Sequence, residues 1–415
     1  MKYFKTDGIR MNSNELIFSL IPLKLGRILG NVSKKICVGF DTRISSSEIY
    51  DLLVMGIVTR GCDVISLGVC PTSLVGYVVN KEKCDYGIMI TASHNPYTDN
   101  GIKVFSSSGE KLSILEEREI DNLLSQNIIY NQVSVLGKVS SSSIYREEYI
   151  KYLRNLMDFP NKEKVLFDTS NGVLSEYIDS IFKDKVDYKI IENNPNGKNI
   201  NLNCGSECIE NLLKNMDDSF TYGVSFDGDG DRVVIINKNK KIINGDMLLG
   251  LFSIEYSYKK IVTTKMMNLG MVNYLSSLNK EVVYSSVGDK NVYTKMKEND
   301  ICLGGESSGH IIFLNSLIKN DGVFTLIKFL NLRIKEIIYT PYFYKTINVE
   351  IKEDINKETI NNLENKVNQL IKEKGRVFIR KSGTENLLRI NIQLLNESSY
   401  DEILSIIKEE IKIDD

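Results

Sequence analysis

The chain has no tryptophan, two histidines and six prolines. It also lacks any polybasic run, because 52 Lys and Arg stand against 54 Asp and Glu for a formal charge of −2. Without surplus cations, an activity that relies on bulk attraction to nucleic acid or to a membrane surface is excluded, and neither is expected as a partner. No uninterrupted apolar stretch reaches the about 18 residues of a membrane helix, and the opening MKYFKTDGIR holds no signal-peptide apolar region. The expected location is cytoplasmic. Seven cysteines (Cys37, Cys62, Cys70, Cys84, Cys204, Cys208 and Cys302) have no CxxC spacing, which fits reduced thiols buried in strands. Two histidines are too few to build a zinc site around them.

What is present is a chain of 415 residues, 42% hydrophobic and 26% charged, with room for several buried cores. A pattern recurs three times. In the first copy, KICVGFDTR (35–43), DVISLGV (63–69) and DYGIMIT (85–91) are strand-like runs separated by helical spacing. The second copy is KVLFDTSNG (164–172), DYKIIEN (187–193) and YGVSFDGDGDR (222–232). The third is KKIVTTKMMNLG (259–270), EVVYSSVGD (281–289) and ICLGGESSGH (301–310). Strands alternating with helices predict α/β domains with mixed, mostly parallel sheets, whose ligands gather beyond the carboxyl ends of the strands. Each copy ends there in a polar motif.

A joint is expected near Ser140–Ser143, after a strand-like QVSVLGKV, and another near Pro341. Beyond Pro341 the order strand, helix, strand–turn–strand, helix predicts a smaller α+β module. The expected domains are 1–143, 144–245, 246–340 and 341–415.

Asp227, Asp229 and Asp231 alternate with Gly228 and Gly230 directly after an apolar run. In an extended backbone, residues two apart share a face, so the three carboxylates can converge. They then repel unless a cation sits among them, and an all-oxygen set suits Mg²⁺. An EF-hand does not fit, since Arg232 and Lys238 stand where its Gly and Glu would be. A solvated Asp-Gly turn is the plain alternative.

Ser93, in Thr91–Pro96, sits at a strand-to-loop corner. G-x-S-x-G is absent, and the side chain of the adjacent His94 is expected to point away, which leaves little for a serine hydrolase. A serine carrying a phosphoryl group would need a divalent ion and cationic donors, which the aspartates and Lys103 could supply. An ordinary polar loop remains open. Gly304–His310 offers Glu306 and Ser308 to sugar hydroxyls, and both histidines fall in these strand-end loops. Arg380–Asn386 reads as a turn rich in cations and N–H groups, suited to phosphate, or else as a surface hairpin.

Together these segments resemble the α-D-phosphohexomutase superfamily. TDGIR (6–10), GFDTR (39–43) with Ser45 and Ser46, and TASHNPYTDNGIKVF (91–105) also resemble its motifs. Within it the likeness is strongest to the phosphoglucosamine mutase branch, on TDGIR, Asn199-Ile200-Asn201 with Cys204-Gly205-Ser206, VGDKNV (287–292) and GGESSGH. The likeness spans essentially the whole chain. It implies three related α/β domains and a smaller α+β domain around a central cleft. It implies one Mg²⁺ per chain on Asp227, Asp229, Asp231 and a phosphorylated Ser93. Arg10, Lys103 and His310 match positions that assist transfer, and Arg232, Glu306, Ser308, Arg380, Ser382, Gly383 and Thr384 match substrate-binding positions. The implied reaction interconverts glucosamine 6-phosphate and glucosamine 1-phosphate through a 1,6-bisphosphate, toward UDP-N-acetylglucosamine and cell-wall precursors. Catalytic amounts of hexose 1,6-bisphosphate would act as activator, with the enzyme a monomer or homodimer. Lys103, its pKa lowered by neighbours such as Arg10, is the first candidate for general base. Phosphomannomutase/phosphoglucomutase activity and a non-catalytic sugar-phosphate-binding regulator are the alternatives. Lys5, Met11 and Asn386 depart from the family pattern, and the chain is short for the family.

Overall fold

The structure, a computed structural model, describes residues 1–5, 7–159, 163–350, 356–381 and 387–411. Its strands, in chain order, begin with β1 (Phe4–Lys5), β2 (Gly8–Asn12), β3 (Lys35–Phe40), β4 (Asp63–Val69), β5 (Tyr86–Ile90), β6 (Asp99–Ser106) and β7 (Val139–Ser141). Next come β8 (Lys164–Asp168), β9 (Asp187–Ile191), β10 (Tyr222–Phe226), β11 (Val233–Asn237) and β12 (Ile242–Ile243). The remainder are β13 (Lys260–Thr264), β14 (Glu281–Ser285), β15 (Leu303–Gly305), β16 (Ile311–Phe313), β17 (Phe343–Glu350), β18 (Gly375–Lys381) and β19 (Leu387–Leu394). All nine strand runs expected in the threefold pattern are present, each within the residues expected of it. The chain divides into two compact units, 1–248 with 308–335, and 249–307 with 336–415.

In the first unit one sheet has the order β1-β2-β6-β5-β3-β4-β7. β5-β3-β4-β7 is parallel, while β5-β6 and β6-β2 are antiparallel. β3 and β5 are apolar and almost wholly buried because helices cover such strands on both faces. A second sheet has the order β12-β11-β10-β8-β9, with β10-β8-β9 parallel. Phe167 on β8 packs between Phe182 and Phe226, with ring centroids 4.8 and 6.5 Å away. The order places the carboxyl ends of β5 and β10, each a central strand, beside antiparallel partners that return the chain.

The run QVSVLGKV is not the strand expected of it; only Val139–Ser141 pairs, with Val64–Ser66. Its backbone groups are taken elsewhere. Gly137 N–H donates to Val58 O at the end of the Ser46–Val58 helix, and Lys138 N–H donates to Asp63 Oδ1. Val135 and Leu136 stay exposed, so no apolar face was available to seat a longer strand.

In the second unit β14-β13-β15 is parallel, and the C-terminal sheet β17-β19-β18 is antiparallel. Val377, Ile379, Leu388, Ile390 and Ile392 meet Ile360, Val367 and Ile371 of the Lys357–Ile371 helix and Ile403 and Ile407 of the last helix. The spacing of those helical residues gives each helix one apolar stripe. All seven cysteines are free thiols, five of them buried. Among the described residues no helix is long and apolar enough to cross a membrane.

Candidate active site

Ser93 follows β5 and is buried, with a left-handed backbone at φ +53°. Its N–H donates to Thr91 Oγ1 (2.8 Å), and Thr91 Oγ1 donates to Asp41 Oδ2 (2.7 Å). The Ser93 hydroxyl donates to Asp227 Oδ2 at 2.7 Å, which joins the loop after β5 to the loop after β10.

The three aspartates converge, but not by strand alternation. β10 stops at Phe226, and Gly230 N–H donates back to Asp227 O (3.2 Å) with Gly230 at φ +74°. A turn, which glycine permits, therefore aims the carboxylates together. Their ligand oxygens lie within 4.8 Å of one another, and all three residues are buried. Asp227 accepts from Ser93 Oγ and from Arg232 N–H (3.1 Å), while Asp229 Oδ2 accepts from Thr72 Oγ1 (2.5 Å). Asp229 Oδ1 and Asp231 Oδ1 are buried without a hydrogen-bond partner. Two unmet carboxylate oxygens in an all-oxygen cluster fit a hard divalent cation such as Mg²⁺.

Lys103, on β6, enters this cluster. Its Nζ is 2.8 Å from Asp229 Oδ2, 3.0 Å from Asp231 Oδ2 and 3.4 Å from Asp7 Oδ2. Burial would lower its pKa, but these three carboxylates outweigh burial and Arg10 and hold it well above the ordinary lysine value. The expectation of a lowered pKa is thus overturned. In this arrangement the three carboxylates favour the charged form of Lys103, which weighs against a role as general base. Asp7, which sequence reasoning passed over inside TDGIR, is held well below the carboxylate range despite burial, by Lys103, Lys111 and Arg10. Arg10 pairs with Asp7 and donates to Ala92 O (3.3 Å) and Asn95 Oδ1 (3.4 Å). Its guanidinium therefore lies along the serine loop.

His310 Nδ1 is 3.7 Å from Asp231 Oδ1, and its Nε2 faces Asn320 Nδ2 at 3.2 Å. His94 does not point away from the serine as expected, since its Nδ1 is 3.5 Å from Ser93 Oγ. Burial first, then Arg232 and Arg10, push the His94 pKa down to about 3, so the ring is neutral. Arg232 donates from Nη1 to Glu207 Oε1 (2.8 Å) while its backbone braces Asp227.

The first unit thus gathers Ser93, Arg10, Lys103, His310, Arg232 and the three aspartates, and Ser308 belongs to it as well. Glu306 and Arg380 belong to the second. Glu306 Oε1 accepts from Gly288 N–H (2.9 Å), bracing the Asp289–Asn299 helix. Arg380 lies opposite Arg389 in the β18–β19 register. Burial and then Arg389 lower its pKa, against a raising influence from Glu306. Ser382, Gly383 and Thr384, with Thr6 and Asn386, lie outside the described residues.

Comparison with known proteins places this geometry. Models of the phosphoglucomutase/phosphomannomutase family match alpha/beta/alpha domain I at residues 1–130, domain III at 244–338 and the C-terminal domain at 346–409. A phosphoglucosamine mutase of Pediococcus pentosaceus is 34% identical over 100% of both chains. The chain belongs to the phosphoglucosamine mutase family, within the phosphohexomutases. Solved structures of the superfamily share its fold. A phosphoglucomutase/phosphomannomutase family protein of Burkholderia thailandensis superposes with a TM-score of 0.82, at 19% identity over 99% of this chain and 97% of the other. The N-acetylphosphoglucosamine mutase of Aspergillus fumigatus, in complex with GlcNAc-6P and magnesium, gives 0.70 at 15% identity, covering 99% and 95%.

Proposed function

We propose that the chain interconverts glucosamine 6-phosphate and glucosamine 1-phosphate, with Ser93 as the carrier of the phosphoryl group. The observation that carries this reading is the Ser93 hydroxyl bonded to Asp227, inside a buried cluster with two unmet carboxylate oxygens. The full-length relatedness to a phosphoglucosamine mutase supports the hexosamine substrate. Asp227, Asp229, Asp231 and an oxygen of phospho-Ser93 would hold one Mg²⁺ per chain. When bound, that ion would supply electrostatic stabilisation of charge developing on the transferring phosphoryl group.

In the forward half, the free sugar hydroxyl attacks phosphorus, the bond to Ser93 Oγ breaks, and a hexosamine 1,6-bisphosphate forms. Lys103 and Arg10, both cationic and beside the serine loop, offset negative charge on the oxygens. The hydroxyl proton must leave, and His310, an imidazole within the cluster, is the candidate to take it, while Ser93 Oγ takes up one proton as it leaves so that the serine hydroxyl is restored. The bisphosphate then turns around and returns its other phosphate to Ser93, which regenerates the carrier. Glu306 and Ser308 would orient the sugar, and Arg232, Arg380, Ser382, Gly383 and Thr384 would bind the phosphate that is not reacting. Hexose 1,6-bisphosphate in catalytic amounts would restore phospho-Ser93 after loss. Four domains at 1–143, 144–245, 246–340 and 341–415, cytoplasmic operation and a monomer or homodimer complete the reading.

Intact mass of the purified protein, with peptide mapping, should find one phosphate on Ser93, and a coupled assay should show Mg²⁺-dependent turnover of glucosamine 6-phosphate. Ser93→Ala should lose both. Near-normal turnover by Ser93→Ala would sink the mechanism, while better turnover of mannose or glucose phosphates would reassign the substrate. Ligand binding without any isomerisation would point to a regulator.

A further inference from the structure

Two sequence motifs remain without a task in this mechanism, GFDTR and the Asn199–Ser206 segment. The structure brings both onto the same two atoms. Arg43 is buried, its side chain wholly shielded, and its Nε donates to Asp41 Oδ2 (2.8 Å). Its Nη2 donates to Ser93 O (2.9 Å) and Asn95 O (2.8 Å), and its Nη1 donates to Asp99 O (3.0 Å) and to Pro96 O. Every nitrogen of the planar fork is used, and four carbonyls of the serine loop converge on it.

Asn201 reaches the same carbonyls from the other repeat. Its Nδ2 donates to Ser93 O (2.8 Å) and Asn95 O (3.1 Å). Asn201 is itself held left-handed at φ +57°, with its N–H donating to Ser170 O (2.9 Å). Five residues on, Ser206 N–H donates to Phe226 O (3.0 Å), the residue before Asp227. Gly228, between two of the aspartates, lies flat against this arrangement. A Cβ there would stand 2.7 Å from Ser93 O and 3.1 Å from Asn201 Nδ2, so only glycine lets the acidic loop close on the serine carbonyl.

We propose that Arg43 and Asn201 are positioning residues for phosphoryl transfer, clamping the carbonyls of Ser93 and Asn95 from two sides so that Ser93 keeps its left-handed backbone and its Oγ stays against Asp227. A left-handed conformation is unfavourable for serine and persists only where its surroundings enforce it. Neither residue touches the reacting atoms; each acts through the backbone of the residue that does. The clamp also couples the two loops, because the segment that carries Asn201 is tied through Ser206 N–H to Phe226 O, next to Asp227. This inference rests on the phosphoserine reading above.

The test is steady-state kinetics of wild type, Asn201→Ala and Arg43→Lys with saturating hexose 1,6-bisphosphate and Mg²⁺, with thermal midpoints measured alongside. Arg43→Lys keeps the charge but loses the fork, and Asn201, which is only half-buried, can be truncated even where a buried arginine cannot be replaced. Both variants should lose kcat by about 100-fold, the scale of a misplaced reacting group. KM for glucosamine 6-phosphate should stay within about twofold, since the sugar-binding residues are untouched. Wild-type kcat in a folded Asn201→Ala, or kcat loss matched by an equal rise in KM, would overturn the clamp. Absence of turnover in the wild type would instead overturn the functional reading on which it rests.

Discussion

Lys103 Nζ is 2.8 Å from Asp229 Oδ2, and both side chains are buried. The contact does two things. It neutralises part of a carboxylate cluster that would otherwise be severely destabilised, and it fixes a cation where the proposed phosphoryl transfer would need one. Removing one partner of such a pair leaves an uncompensated buried charge, which costs about 3–5 kcal/mol. Lys103→Met should therefore lower unfolding free energy by about that amount in EDTA, and saturating Mg²⁺ should recover most of the loss by supplying the missing charge. Urea denaturation with and without Mg²⁺ measures both. A loss that Mg²⁺ does not relieve would show that the ion and the lysine do not share these carboxylates.

Arg380 and Arg389 face each other across β18 and β19. Like charges directly opposite on a sheet disfavour folding, so a bound anion would relieve them. Arg380→Met should raise stability slightly, by about 0.5 kcal/mol. It should also raise KM for glucosamine 6-phosphate about tenfold while leaving kcat nearly unchanged, because one charge-assisted phosphate contact is lost. Unchanged KM would remove Arg380 from the phosphate site.

Asp121 ties down the N-terminus by accepting from the N–H groups of Lys2 (2.7 Å), Tyr3 (2.7 Å) and Phe4 (2.9 Å). Burial acts to raise its pKa, but the hydrogen bonds from Phe4, Lys2 and Tyr3 bring it below the ordinary value of 3.8. A depressed carboxyl contributes stability that is fully present above 3.8 and lost as pH falls through the lower folded-state value. Asp121→Asn should lower the thermal midpoint at neutral pH, by the equivalent of about 2 kcal/mol, and the gap to wild type should close below the ordinary carboxylate pKa. A gap that persists unchanged in acid would mean the charge of Asp121 is immaterial.

The strands of the three repeats were legible because buried parallel strands are short apolar runs ended by polar loops, and β4 occurs with the limits expected. The acidic triad was legible from residue type alone. Its convergence was legible too, but the route was not, because a turn at Gly230 replaces the extended backbone from which it was argued. The upward pull on the Lys103 pKa was equally hidden, since it depends on Asp7, Asp229 and Asp231 arriving from two loops. Arg43 and Asn201 were visible as motif letters but not as a pair. They act on backbone carbonyls, which carry no sequence signal, and their partnership exists only once the two sheets are formed.

Asp321 offers the sharpest test of how the first unit is held together behind the site. It caps the Gly322–Leu330 helix through Phe324 N–H (2.6 Å), and its other oxygen accepts from Tyr149 OH (2.6 Å) and Ser73 Oγ. Next to it, Gly322 N–H donates to Gly230 O (2.9 Å) in the acidic loop, while Thr72, beside Ser73, holds Asp229. Tyr149→Phe removes one hydrogen bond to a buried carboxylate and should cost about 2 kcal/mol. Asp321→Ala leaves two hydroxyls and a helix N–H without their acceptor and should cost at least about 3 kcal/mol. The two effects should not add, because once Asp321 is gone the tyrosine hydroxyl has nothing to donate to; the coupling in a double-mutant cycle should exceed about 1 kcal/mol. Strict additivity in urea unfolding would show that Tyr149 stabilises the unit through its ring, which packs edge-on to Tyr177 with centroids 5.9 Å apart, and not through Asp321.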